Sequence, residues 1–129
     1  MYVDASALVA ILLNEPERDQ IILRLENADA AVTSLVSVFE AMAAVGRELG
    51  DRAVAGAEVE NFLASAGIRI VDIGAGTMPY LQHAYRLYGK GSGHPAQLNM
   101  GDCFSYAMAK TLGQPLLYKG NDFVQTDLA

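Results

Sequence analysis

Tyr2-Val3-Asp4-Ala5-Ser6-Ala7-Leu8-Val9-Ala10-Ile11-Leu12-Leu13 is the stretch on which the fold turns. Two apolar residues run into an acid, then a small residue and a serine lead into an apolar run of helical length. This reads as a short buried strand that ends at Asp4 and passes at once into a helix over Ser6–Leu13. In an open α/β sheet, ligands gather outside the carboxyl ends of the strands. Asp4 therefore stands where such a sheet does its chemistry.

Outward from that stretch, strands and helices alternate. Asn14-Glu15-Pro16 ends the first helix, and Pro16 suits the first turn of the next, because its missing N–H has no partner there. That helix is expected from Glu17 to about Asn27, with Ile21, Ile22 and Leu25 on one face. Ala30–Thr33 reads as a second strand, and Ser34 as a helix cap. Leu35, Val38, Phe39, Met42 and Val45 recur at helical spacing, and Gly50 suits the left-handed residue that ends such a helix. Asp51 would cap a further helix over Arg52–Ser65, ended by Gly67. Ile68–Val71 is a β-branched third strand. Thr77 would cap a helix from Met78 to Tyr88. Gly89–Pro95 reads as a mobile, partly basic loop near the site. Cys103–Leu112 is another helix, Gln114–Tyr118 a fourth strand, and Lys119–Phe123 a turn into one helical turn. The alternation predicts parallel strands joined by crossovers, with helices on both faces.

A chain of 129 residues, 52% apolar, suits a single domain over residues 1–129 with a core that needs no staple. One cysteine, Cys103, excludes an internal disulfide and fits a reducing, cytoplasmic setting. There is no apolar run long enough to span a membrane, and no basic segment opens a secretory signal. The net charge of -6 is unlike that of proteins that grip nucleic acid by counterion release. Either the partner is not a nucleic acid, or acids are gathered to hold cations.

Four acids decide between these. Asp4, Asp102 and Asp122 each have an ordinary reading as helix cap, helix-start acid or turn residue. Glu40 does not. Its helical neighbours are Val36, Ser37, Ala43 and Ala44, none of them cationic, and burying an unpaired carboxylate costs several kcal/mol. Asp4 and Asp122 follow strands, Asp102 starts the helix leading into the last strand, and Glu40 could reach the same sheet edge. Oxygen-only donors suit Mg²⁺ or Mn²⁺ rather than zinc. Such ions can polarise a phosphodiester and activate an attacking water. Ser6 and Lys119 are supporting candidates, the latter for a substrate phosphate, and Asn99 and Ser105 could back up Asp102. His83, His94 and Cys103 are too scattered for a zinc site, and Cys103 reads as a core residue. Gly74-Ala75-Gly76 lacks the third glycine of a dinucleotide loop, and residues 88–93 lack the P-loop order.

The segments around the acids carry a resemblance. Val3-Asp4-Ala5-Ser6-Ala7-Leu8, Ser37-Val38-Phe39-Glu40, Leu98-Asn99-Met100-Gly101-Asp102-Cys103-Phe104-Ser105-Tyr106-Ala107 and Leu116-Leu117-Tyr118-Lys119-Gly120-Asn121-Asp122-Phe123 together resemble the PIN-domain ribonucleases, above all the VapC-type toxins of toxin–antitoxin pairs. The resemblance implies a PIN-like α/β/α sandwich around a mostly parallel sheet of four to five strands. It implies that Asp4, Glu40, Asp102 and Asp122 form an acidic quartet holding Mg²⁺ or Mn²⁺, in an endoribonuclease neutralised by a small VapB-type antitoxin. It also implies a homodimer, which helices rich in small and apolar residues, such as Ala53–Gly67, would suit. Asn121 stands where many relatives carry another acid, and Asp127 is a candidate outer-shell acid. Lys90, Lys110, Lys119, Arg47 and Arg86 could line the RNA approach. Two other readings are an aspartyl phosphotransfer domain with Asp4 as nucleophile, for which Ser6 replaces the second acid expected, and a PIN-like binding module without activity.

Overall fold

The computed structural model describes all 129 residues. Four parallel strands form one sheet in the order β3-β2-β1-β4: β1 Tyr2–Val3, β2 Ala31–Thr33, β3 Ile68–Ile70 and β4 Leu116–Leu117. The strands are shorter than the sequence implies, because hydrogen bonding along the ladder stops where the chain must turn into helices. Helices α1 Ala5–Leu12, α2 Arg18–Glu26, α3 Leu35–Leu49 and α4 Arg52–Ala66 precede β3 or lead into it, and α5 Met78–His83 and α6 Met100–Leu112 follow it.

Alternation along each strand sends successive side chains to opposite faces, and two cores result. Val3, Leu117 and Ile68 join Leu8, Ile11, Val38, Ala41, Val59 and Leu63 of α1, α3 and α4 on one face. Tyr2, Leu116 and Val32 join Tyr88, Leu98, Tyr106, Met108 and Phe123 on the other. This is the α/β/α sandwich, with a sheet covered on both sides as all-parallel sheets require. Leu8 is fully buried; truncating such a leucine to alanine removes ~2–5 kcal/mol.

The chain builds β1, β2 and β3 outward in one direction, then returns to place β4 on the other side of β1. That reversal puts a crevice at the carboxyl end of β1. Helix ends follow local chemistry: Gly50, Gly67 and Gly113 adopt left-handed backbone at φ 68°, 68° and 61°, and Asp51 caps α4 through the Val54 N–H at 3.0 Å.

Several local expectations are corrected. Ser34 does not cap α3 with its side chain, because its hydroxyl is drawn 2.8 Å from the buried Tyr2 hydroxyl. Thr77 does not cap α5 with its side chain either; it is buried, and its hydroxyl donates to the Met108 sulfur at 3.7 Å. The helix expected to run from Met78 to Tyr88 becomes a π-helical turn over Ala84–Tyr88. The following glycine-rich loop is pinned by a ladder contact, with Lys90 N–H donating to Leu98 C=O and Leu98 N–H to Tyr88 C=O, both at 2.8 Å. After β4 the chain forms successive turns rather than a helical turn. No helix is long and apolar enough to cross a membrane.

Candidate active site

Asp4 is both the cap of α1 and a wall of the crevice. Its Oδ2 accepts from the Ser6 N–H at 2.9 Å and from the Ser6 hydroxyl at 2.5 Å. Its Oδ1 accepts from the Ser105 hydroxyl at 2.5 Å. The carboxylate is only 4% exposed and is held at both oxygens. The Ser6 oxygen also accepts from the Lys119 N–H at 3.0 Å, which ties the end of β1 to the chain beyond β4. Ser105 therefore supports Asp4, not the Asp102 neighbourhood expected for it.

Asp102 sits at the third position of α6. Its N–H donates to Asn99 Oδ1 at 2.9 Å, and its own Oδ2 accepts from the Asn99 N–H at 3.1 Å. This reciprocal pair satisfies two of the orphan donors at the helix start, and it fixes the carboxylate beside Asp4. Burial pushes the Asp102 carboxyl up from its ordinary 3.8 to about 7; the Asn99 hydrogen bond opposes this, and the charges of Asp4, Asp122 and Glu40 add to it.

Glu40 lies in the second turn of α3 and reaches across to the start of α6. Its carboxyl is raised by burial and by the neighbouring Asp4 charge. Gly101 makes this approach possible. A Cβ built there would collide with both Glu40 carboxylate oxygens, so any side chain at 101 would displace Glu40. Asp122 is exposed on the turn after β4, close enough for its charge to act on Asp102.

These four acids wall one open cleft of about 320 Å³, together with Ser6 and Asn99. Arg47 and Lys119 line it too. None of the four acids takes part in an ion pair, and no three of them come together as a set of metal ligands in this structure. A larger hollow of about 670 Å³ between α3 and the start of α4 carries Phe39, Met42 and two arginines but no carboxylate.

Sequence reasoning missed two residues here. Glu15 also lines the cleft and takes the Lys119 ammonium at 3.0 Å, with Glu17 at 3.8 Å. Lys119 is thus engaged rather than free, and its pKa is raised, chiefly by the Glu15 hydrogen bond. Nothing in Asn14-Glu15-Pro16 beyond a helix end signals this; the left-handed backbone of Asn14, φ 53°, turns the chain back toward the site. Gly101 is the second, and its flank of Asp102 was the available signal.

Other expected residues lie elsewhere. Asp127 does not line the cleft: Tyr106 donates its hydroxyl to it at 2.8 Å and Lys110 its ammonium at 2.5 Å. Burial pushes the Asp127 carboxyl up, but those two donors outweigh it and hold the carboxyl below the usual range. Lys110 is thereby tied away from the cleft, and Lys90, Arg86 and Asn121 are not on its wall. No residue of the loop 89–95 lines it either. Burial raises the Cys103 thiol, as suits a core residue and not a nucleophile.

Residues 1–128 match the PIN domain family, and the chain belongs to it, within the VapC ribonuclease type. Ribonuclease VapC30 of Mycobacterium tuberculosis is 40% identical over 129 residues, covering 100% of this chain and 96% of that protein. Ribonuclease VapC of Mycolicibacterium smegmatis is 40% identical over 129 residues, covering 100% and 98%. A VapC ribonuclease of Rhizobium meliloti is 43% identical over 140 residues, covering 98% of each chain.

Proposed function

We propose that this chain is a divalent-metal-dependent endoribonuclease toxin of the VapC type, with Asp4, Glu40, Asp102 and Asp122 as the residues that hold Mg²⁺ or Mn²⁺. One observation carries the reading: carboxylates from segments far apart in sequence wall a single cleft, unpaired with any cation. Such crowding of like charge is costly unless a cation joins it. The donor set fits a hard ion. All donors are oxygens, and acids spread around an open cleft suit a cation that keeps several waters. When bound, it supplies Lewis acidity and charge neutralisation at a phosphodiester.

The chain's own residues supply orientation. Ser6 and Ser105 hold Asp4, Asn99 holds Asp102, and Gly101 makes room for Glu40. Arg47 on the cleft wall would meet an RNA phosphate, whereas Lys119 beside it is held by Glu15 and Glu17. The test is cleavage of structured RNA with Mn²⁺ or Mg²⁺. Wild type should cut and be silenced by chelator, while Asp4→Ala and Asp102→Ala should lose at least ~100-fold, the order expected when a group stabilising charge in the transition state is removed. Equal cutting by all three refutes the assignment.

The partners follow from the same chemistry. A small antitoxin that places a basic side chain among the carboxylates would replace the metal as counter-charge, and it should abolish cleavage when co-purified. A homodimer is the expected assembly. The buried side of α4 (Ala55, Val59, Leu63) is used within the chain, while Leu35, Phe39 and Met100 are among the exposed large hydrophobics that a second copy would cover. Light scattering at micromolar concentration that reports a monomer refutes it.

A further inference from the structure

Four side chains bearing hydroxyls lie fully buried between β1, β2, α3 and α6: Tyr2, Ser34, Ser37 and Ser105, each 0% exposed. Burying hydroxyls in an apolar core is costly unless they are hydrogen-bonded. Here they bond to one another in a line that ends at Asp4. Ser34 and Tyr2 are 2.8 Å apart, Tyr2 and Ser37 2.8 Å, and Ser37 and Ser105 3.3 Å. Ser105 reaches Asp4 Oδ1 at 2.5 Å.

The direction of every proton in this line is determined from its end. An ionised carboxylate only accepts, and each hydroxyl has one proton to give. Ser105 gives its proton to Asp4, so Ser37 must donate to Ser105, Tyr2 to Ser37, and Ser34 to Tyr2. All the donors then point toward one carboxylate oxygen, and successive bonds polarise one another in the same sense.

We infer that Tyr2, Ser37 and Ser105 are positioning residues that hold Asp4 for cation binding through this one-way hydroxyl line. The inference rests on the metal-dependent reading above. Ser6 secures the other carboxylate oxygen locally, whereas this line ties Asp4 to elements on both sides of β1. Partners behind a metal-holding group set its orientation and typically change metal affinity by ~10–100-fold.

The test is calorimetric Mn²⁺ binding to the full chain. Ser105→Ala should weaken binding ~10-fold, and Ser105→Thr, which keeps the hydroxyl, should recover most of it. Tyr2→Phe and Ser37→Ala should each weaken binding by about threefold, the low end of one hydrogen bond's net worth. In a double-mutant cycle, Tyr2→Phe should add almost nothing once Ser105 is alanine, because its effect passes through that residue. Leu63→Ala, a destabilising core change on α4, should leave Mn²⁺ affinity unaltered. Wild-type affinity in Ser105→Ala, or additive losses in the double variant, overturns the line while leaving the ribonuclease reading standing. A wild-type chain that binds no Mn²⁺ overturns both.

Discussion

Replacing Asp102 with asparagine should stabilise the metal-free protein at pH 8 while abolishing its cleavage activity. The carboxyl rises from an ordinary 3.8 to about 7 in the fold, by burial first, against the opposing Asn99 hydrogen bond, and with the charges of Asp4, Asp122 and Glu40 adding to it. A raised acid is protonated in the folded chain and ionised in the unfolded one between those values. Stability therefore falls as pH climbs from about 4 to about 7, and the full penalty is present above that window. At ~1.36 kcal/mol per pH unit the upper bound is ~4 kcal/mol. The carboxylate faces an open cleft, so solvent screening reduces this to roughly 1–2 kcal/mol. For a chain of 129 residues that corresponds to roughly 4–7 °C in Tm. Asparagine keeps an oxygen that can accept from the Asn99 N–H, so the helix start survives. The assay is thermal unfolding of both proteins in chelator at pH 8 and pH 4. The variant should melt higher at pH 8, and the gap should close at pH 4, where Asp102 is protonated in the folded state. A gap of the same size at both pH values, or a less stable variant at pH 8, refutes the account of crowded acids.

Gly101→Ala should cut RNA cleavage by at least ~10-fold, since a 1 Å misplacement of a reacting group can cost up to 100-fold, while circular dichroism stays unchanged; adding Glu40→Asp, one methylene shorter, should restore part of the activity. Asp51→Ala should remove ~1 kcal/mol of stability by uncapping α4 and leave Mn²⁺ binding intact, as equilibrium unfolding and calorimetry would show. Asp127→Asn should loosen the end of the chain from Tyr106 and Lys110, so that carboxypeptidase trims it faster at neutral pH. Because the Asp127 carboxyl is held low, its contribution is present above the ordinary carboxylate range and fades as pH falls through it; the trimming difference should shrink accordingly in an acid-tolerant protease assay.

Wherever structure depends on neighbours in sequence, it was legible. The turn from β1 into α1 at Asp4, the 3.6-residue periodicity of α3, and the glycines that end α3, α4 and α6 all act within a few residues. The alternating order of strands and helices sufficed for the parallel sandwich. What was hidden depends on distance. Ser34 and Thr77 have the chemistry of caps, but Tyr2 and Met108 compete for their hydroxyls across the core. Ser105 lies 101 residues from the carboxylate it supports. The π-helical turn at Ala84–Tyr88 leaves no mark in a periodicity sought at 3.6. Glu15 and Gly101 matter at the cleft only because α2 and α3 pack where they do, and no local pattern encodes that. Asp127 misled because an acid near the chain end looks alike whether it faces a cleft or a lysine.

Asp4, Glu40 and Asp102 are carried by the sheet edge and by helices, whereas Asp122 sits on an irregular turn beyond the last strand. Lys119 is tied to Ser6 and Phe123 is buried in the core, so only the exposed Gly120–Asp122 between them can change without disturbing the scaffold. A chimera that swaps only Gly120–Asp122 between relatives would alter the charge of the cleft while the buried Phe123 stays in place, making this short turn the segment where the cleft's acidity can diverge with least cost to the fold.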